Sequence, residues 1–166
     1  MNAEPFRVGL VCLGNICRSP MADVVLQDRL EKAGLAHRVE VASAGTGGWH
    51  EGEKMDSRAA DVLRAAGYDP SRHRARTFDT DWYAQYDLLL AMDASNYLDM
   101  ADQAPTDEQL RQLRMFREFD PEASENDNEV PDPWYGGDDG FRHVLAMIER
   151  TTDQLVARLP ELMTPR

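Results

Sequence analysis

Residues 6 to 20, FRVGLVCLGNICRSP, pass from an apolar run of strand length to a helix start within a few residues. A strand that turns so abruptly into a helix is the opening of a β-α unit, and this constrains the fold more than any other segment does. Phe6, Val8, Leu10 and Val11 make an apolar, partly β-branched run weakened only by Gly9, as suits a buried strand of a parallel sheet. Cys12 then falls at the strand's carboxyl end. Gly14 and Asn15 are residue types that readily take turn or left-handed backbone, so successive N–H groups can point inward as an anion-binding nest. Ser19-Pro20 marks a helix start, where unpaired N–H groups and the helix dipole favour a bound anion. The segment is sized for a phosphate dianion.

Arg18 narrows the anion. Its planar fork can donate two parallel hydrogen bonds to two oxygens of a phosphoryl group, which a lysine cannot reproduce. Cys12 shares the same positive field, and such a field favours a thiolate. A thiolate beneath a phosphoryl group held by amides and a guanidinium is a phosphoryl-transfer nucleophile, and the same donors stabilise the spreading charge of the transition state. A lone cysteine at a strand end can equally be an inert small hydrophobe. Here Gly14, Asn15, Arg18, Ser19 and Pro20 each meet a separate requirement of an anion loop, which favours the reactive reading. No glycine fingerprint of a mononucleotide or dinucleotide site follows the strand.

The stretch VCLGNICRSPMAD, with Asp132-Pro133-Trp134-Tyr135-Gly136 far downstream, resembles the low-molecular-weight protein tyrosine phosphatases. Nearly the whole chain can be laid along that family. The resemblance implies a three-layer α/β fold, a doubly wound, four-stranded parallel sheet of order 2-1-3-4, with the phosphate loop at the carboxyl end of strand 1. It implies that Leu13, Gly14, Asn15, Ile16, Cys17 and Ser19 line the substrate's phosphoryl group and that Asp132 is the general acid. It further implies that Ser19 hydrogen-bonds the nucleophile's sulfur, and that Asn15, Ser43 and His73 form a buried network supporting the loop. Cys17 resembles the family's resolving thiol, which traps oxidised Cys12 as a disulfide. A packed core thiol at Cys17, a merely solvated His73 and a plain helix cap at Ser19 are the ordinary alternatives.

The rest of the chain fits one domain spanning residues 1–166. At 42% hydrophobic content it can bury roughly two thirds of its extended surface. It starts MNAEPFRV and has no apolar run of membrane or signal length, Leu88 to Met92 being only strand-sized, so a cytoplasmic protein is expected. Export without a signal stays open. Two cysteines in one tight loop do not make a secreted disulfide scaffold, and with four histidines they offer no metal-ligand spacing, so no metal or other cofactor is expected. The net charge of −12 argues against nucleic acid or anionic lipid as partners, and the anion site must be local. Phosphotyrosine-containing proteins are the expected partners, with inorganic phosphate and similar oxyanions as competitive ligands.

Patterning predicts helices over Pro20 to Lys32, Asp56 to Ala66, Thr106 to Leu113 and Asp139 to Leu159, with shorter turns near Asp79 to Ala84 and Ser95 to Met100. It predicts further strands over Arg38 to Ser43, Asp87 to Met92 and Met115 to Phe119. Residues 120 to 139 form a long polar loop, and a loop of that length inside a compact domain is usually functional. Departure of a phenolate is eased by a proton donor opposite the thiolate, which this loop can supply from Asp132, stiffened by Pro133. Asp132-Pro133 can also be a simple turn, and Asp120-Pro121 is a second candidate without the aromatics. Trp49, Trp134 and Tyr135 can wall a pocket deep enough for a phenyl phosphate and too deep for phosphoserine, or can cover loop edges.

Rival functions leave different marks. Arsenate reductases of this fold need a further cysteine, and residues 73 to 100 contain none. Protein-arginine phosphatases of the family typically carry Thr where Ile16 stands and a single aromatic after Asp-Pro, so Ile16 and the Trp134-Tyr135 pair favour tyrosine. A phosphopeptide-binding module with a silent thiol would bind and release no phosphate.

Overall fold

The computed structural model describes residues 4–133 and 137–164. Strand β1, Phe6–Cys12, leads through a five-residue loop into helix α1, Arg18–Lys32. Strand β2, Val39–Gly45, is followed by helices α2, Ser57–Ala65, and α3, Trp82–Gln85. Strand β3, Leu88–Ala91, precedes helices α4, Ala94–Ala101, and α5, Asp107–Leu110. Strand β4, Leu113–Met115, runs into a 3-10 turn, Phe116–Phe119, and helix α6, Asp138–Leu162, closes the chain. The strands pair in parallel in the order β2-β1-β3-β4, as expected.

Side-chain alternation along the strands sorts the core into two layers. Val8, Leu10, Leu88 and Leu90 face α1, α2 and α6, where Leu26, Leu63, Phe141 and Ile148 are fully buried. Val11, Leu89 and Ala91 face the opposite layer, built on Phe78, Trp82, Tyr83 and Met100. Helices on both faces bury Val8 to Cys12 of β1 and all of β3, so these stretches read as continuous apolar runs. Among the described residues no helix is long and apolar enough to cross a membrane.

Several boundaries differ from the sequence expectations. The fourth strand is Leu113–Met115 and not Met115 to Phe119, because Phe116 and Phe119 are both buried at a helical spacing and the chain coils to place them. The helix expected over Thr106 to Leu113 shrinks to Asp107–Leu110 behind a Thr106 cap, since Leu113 is claimed by the sheet. Helix α1 begins at Arg18, two residues before Pro20, and α6 continues through Pro160 to Leu162. Proline is tolerated at position 20 because it lies in the first turn, where its missing N–H would have no helical partner. Strand β2 is Val39–Gly45, running two residues past the Ser43 at which the expected strand ended.

Candidate active site

The loop between β1 and α1 is held from outside by its carbonyls. Thr46 N donates to Cys12 O, Gly47 N to Leu13 O and Asp56 N to Ile16 O, each at 2.9 Å, and His73 Nε2 lies 2.6 Å from Asn15 O. In a trans peptide the next N–H is directed opposite to the carbonyl. The amides of Leu13, Gly14, Ile16 and Cys17 therefore face the loop's interior, as an anion nest requires. Asn15 N–H is directed at Cys12 Sγ, 3.3 Å away.

Asn15 alone in the loop adopts a left-handed backbone, with φ of 58°, and Gly14 lies in the bend before it. The Asn15 side chain holds that conformation by being fully bonded. Nδ2 donates to Ser19 Oγ at 3.0 Å and Ser43 Oγ at 2.9 Å, and Oδ1 accepts from Arg76 N at 2.9 Å. The structure thus brings buried Asn15, Ser19 and Ser43 and half-buried His73 into one hydrogen-bond network. Burial pushes the His73 imidazole below its usual range, with Arg76 and Arg74 acting in the same direction against the bond to Asn15. Because its partner is a carbonyl, Nε2 must carry the proton and donate.

Glycines give the loop its clearance. A Cβ on Gly45 would stand 2.7 Å from Leu13 O and 3.0 Å from the Gly14 carbonyl carbon, so β2 can pass beneath the loop only without a side chain there. A Cβ on Gly14 would press on the His50 ring at 3.1 Å.

Cys12 is 2% exposed at the base of the loop, and its Sγ lies 2.9 Å from Ser19 Oγ. Ser19 Oγ is also 3.3 Å from Ala44 O. With the sulfur ionised, the hydroxyl proton is the one that can occupy the short contact. Arg18 is equally buried, and its Nη1 donates to Asp93 Oδ2 at 2.6 Å and to Val130 O at 3.0 Å. Burial alone would weaken the guanidinium's hold on its proton, but Cys12, Asp93 and Asp132 outweigh it and keep Arg18 charged. Asp132 approaches from the long loop, 3.9 Å from Arg18 Nη2. Burial, and then Asp56, Cys12 and Asp132, push the Cys17 thiol far up against the opposing Arg58, so Cys17 stays protonated beside its neighbour.

These groups enclose a cavity of about 240 Å³. Its buried wall comes from Cys12, Ile16, Cys17 and Arg18, and its rim from the more exposed Leu13, Trp49, His50 and Asp132. Trp49 is 72% exposed and lies across Gly47, whose absent Cβ would meet the ring at 1.9 Å. Trp134 and Tyr135, expected as the other aromatic walls, lie outside the described residues. Among the described residues no group of three or more His, Cys, Asp or Glu is placed to hold a metal ion.

Sequence reasoning missed Asp93, His50, Gly45 and the Val130 carbonyl. A signal for Asp93 was present: it follows β3 by two residues, β3 lies next to β1 in the sheet, and Asp93 caps α4 through Asn96 N at 2.7 Å. His50 follows Trp49 directly, and its Nδ1 pairs with Glu53 at 2.7 Å.

The arrangement offers a buried thiol, a paired guanidinium and inward amides for a tetrahedral oxyanion, with a carboxyl group at the mouth. A family model described as low molecular weight phosphotyrosine protein phosphatase matches residues 7–163. A low molecular weight protein-tyrosine-phosphatase of Streptomyces coelicolor is 46% identical over 161 residues, which cover 97% of this chain and 98% of that protein. The low molecular weight protein-tyrosine phosphatase A of Mycobacterium tuberculosis is 44% identical over 147 residues, covering 89% and 87%. Among solved structures, YfkJ from Bacillus subtilis superposes with a TM-score of 0.90 at 30% identity, covering 99% of this chain and 100% of that one. An Entamoeba histolytica protein tyrosine phosphatase, with Hepes in its active site, superposes with a TM-score of 0.88 at 33% identity, covering 94% and 97%.

Proposed function

Since the chain belongs to the low molecular weight phosphotyrosine protein phosphatase family, we propose that it hydrolyses phosphotyrosine in proteins through a phosphocysteine on Cys12. The observation that best supports this reading is the convergence of Cys12, Arg18 and Asp132 on one cavity of about 240 Å³.

In the first step the Cys12 thiolate attacks phosphorus in line. An S–P bond forms as the P–O bond to the tyrosine breaks, and Asp132 in its carboxylic form gives its proton to the departing oxygen. Arg18 and the inward amides hold the three equatorial oxygens as their charge grows. In the second step the Asp132 carboxylate takes a proton from water, whose oxygen attacks phosphorus. The S–P bond breaks, phosphate leaves and the thiolate returns, with Ser19 Oγ 2.9 Å away to donate to it. No metal enters either step.

Selection of tyrosine follows from depth. Cys12 is buried behind Leu13 and Trp49, which are 41% and 72% exposed at the rim, so a phenyl ring spans the distance that a serine side chain does not. Cys17, protonated and adjacent, suits a guard role. Peroxide would oxidise Cys12 to the sulfenic acid, and the Cys17 sulfur would then displace its oxygen as water to leave a disulfide. The remaining parts of the reading are a single catalytic domain, a reducing cytoplasmic setting, competition by free oxyanions, and no nucleic-acid or membrane partner for a chain of net charge −12.

The test is phosphate release from phosphotyrosine, phosphoserine and phosphoarginine peptides side by side, with and without EDTA, for the parent protein and Cys12→Ser. Phosphotyrosine preference, indifference to EDTA and loss of turnover by roughly 10⁴-fold or more in Cys12→Ser are expected. Phosphoserine or phosphoarginine preference, or normal turnover by Cys12→Ser, refutes the reading.

A further inference from the structure

The loop from Asp120 to Asp132 ends on Asp132 yet contains no strand or helix of its own beyond a small bridge between Ser124 and Asp127. A catalytic carboxyl misplaced by about 1 Å can lose a hundredfold in rate, so its backbone must be set by something else.

Arg117 lies under this loop with 1% exposure. Its Nε donates to Asp120 Oδ2 at 2.8 Å, and its Nη1 donates to Asp127 Oδ1 at 2.6 Å and to Glu129 O at 3.0 Å. One side chain therefore ties the loop's first residue, its middle and the stretch just before the acid. Asp120 is gripped from behind by Arg150 of α6, with Nε to Oδ1 at 2.7 Å and Nη2 to Oδ2 at 2.8 Å. Val130, beside the tied Glu129, is fixed on both sides. Its N–H donates to Met92 O at 2.8 Å and its carbonyl accepts from Arg18 Nη1 at 3.0 Å. Only Pro131 separates Val130 from Asp132.

A buried guanidinium is an expensive way to fill a core, since an apolar side chain of similar volume would serve stability as well or better. Its use under the acid-bearing loop points to placement. We propose that Arg117 is a positioning residue for Asp132, with Asp127, whose side chain is 69% exposed, as its surface latch. Proton delivery to the leaving group depends on the pair, and phosphate binding does not. The inference rests on Asp132 being the general acid.

The experiment measures kcat/KM for phosphotyrosine, whose phenolate needs a proton to leave, and for 2,4-dinitrophenyl phosphate, whose leaving group does not. It uses the parent protein, Asp132→Asn, Asp127→Ala, Arg117→Met and the Asp127→Ala/Asp132→Asn double variant. Asp127→Ala should lower kcat/KM for phosphotyrosine roughly tenfold. It should hold dinitrophenyl phosphate within about twofold and leave inhibition by inorganic phosphate unchanged. In the Asp132→Asn background it should have no further effect, because it acts only through that carboxyl. Arg117→Met should show the same selectivity more strongly; should it fail to fold, the surface change at Asp127 still decides the matter. Equal losses on both substrates, no loss on either, or losses that multiply in the double variant overturn the proposal while leaving the acid role intact. A flat leaving-group response in Asp132→Asn itself removes the acid reading, and this proposal with it.

Discussion

Asp93 holds Arg18 from behind: its Oδ2 accepts from Nη1 at 2.6 Å, while its Oδ1 accepts from Asn96 N at 2.7 Å to cap α4. One carboxylate thus fixes the orientation of the Arg18 guanidinium and starts a helix. The side of the guanidinium carrying Nη2 is left toward Asp132 and the cavity.

Separating the two duties of Asp93 gives the first prediction. Asp93→Ala should cost about 1 kcal/mol of stability from the lost cap, and roughly tenfold in kcat/KM from a wandering Arg18. Asp93→Asn keeps an acceptor for Asn96 and should recover most of the stability. Thermal melts beside kcat/KM for phosphotyrosine measure both; equal stabilities for the two variants would remove the cap contribution.

Asn15 tests the loop's support. Asn15→Gly keeps the left-handed backbone and deletes three side-chain hydrogen bonds, whereas Asn15→Ala deletes the same bonds and adds strain at φ of 58°. Both should be destabilised by about 2 to 4 kcal/mol, with Ala the worse by about 1 kcal/mol. Urea denaturation checks the order, and a Gly variant less stable than Ala contradicts it.

Gly45→Ala should push directly on the loop. Its Cβ would meet backbone atoms of Leu13 and Gly14, and backbone cannot rotate away as a side-chain tip can. A loss of about 1 to 3 kcal/mol is expected. Weaker inhibition by inorganic phosphate should accompany it, as the amides spread. Unchanged phosphate inhibition would mean the strain is absorbed by β2.

Acid stability should report Asp120. Burial alone would raise its carboxyl, but hydrogen bonds from Arg150, Glu122 N and Arg117 outweigh burial and hold it well below the usual range. An unfolded aspartate titrates near 3.9, so in the window below that value the unfolded chain binds the extra proton. The stabilisation is complete above about pH 5 and is lost progressively as pH falls. Asp120→Asn should cost about 3 kcal/mol at pH 7 and flatten the stability curve between about pH 3 and pH 5. Denaturation midpoints across that range decide the matter; a parallel curve would exclude Asp120 as the source.

Where local chemistry controls an element, its ends were legible. Gly34 takes φ of 73° just past α1, and Asp56 caps α2 by accepting from Arg58 N and Ala59 N, as their residue types require. Strand β4 was misplaced because three residues carry little periodic signal, and its pairing with Leu89 to Ala91 decides where it lies. Arg117 was unreadable for a related reason. A buried arginine and an exposed one look alike in sequence, and only its neighbours Asp120, Asp127 and Glu129 account for its burial.

The loop between β1 and α1 was legible in the sequence because its parts are contiguous. Cys12 to Ser19 spans one turn, and the residue types that bend it, line it and start its helix must follow one another. What aims that loop is contributed from far along the chain. Arg18 meets Asp93 across 75 residues and Val130 across 112. Those contacts exist because parallel strands β1 and β3 end side by side, bringing their carboxyl ends and the following loops to one edge of the sheet. Local order sufficed to specify the tight loop that carries Cys12; the orientation of Arg18 and the approach of Asp132 were decided by tertiary packing.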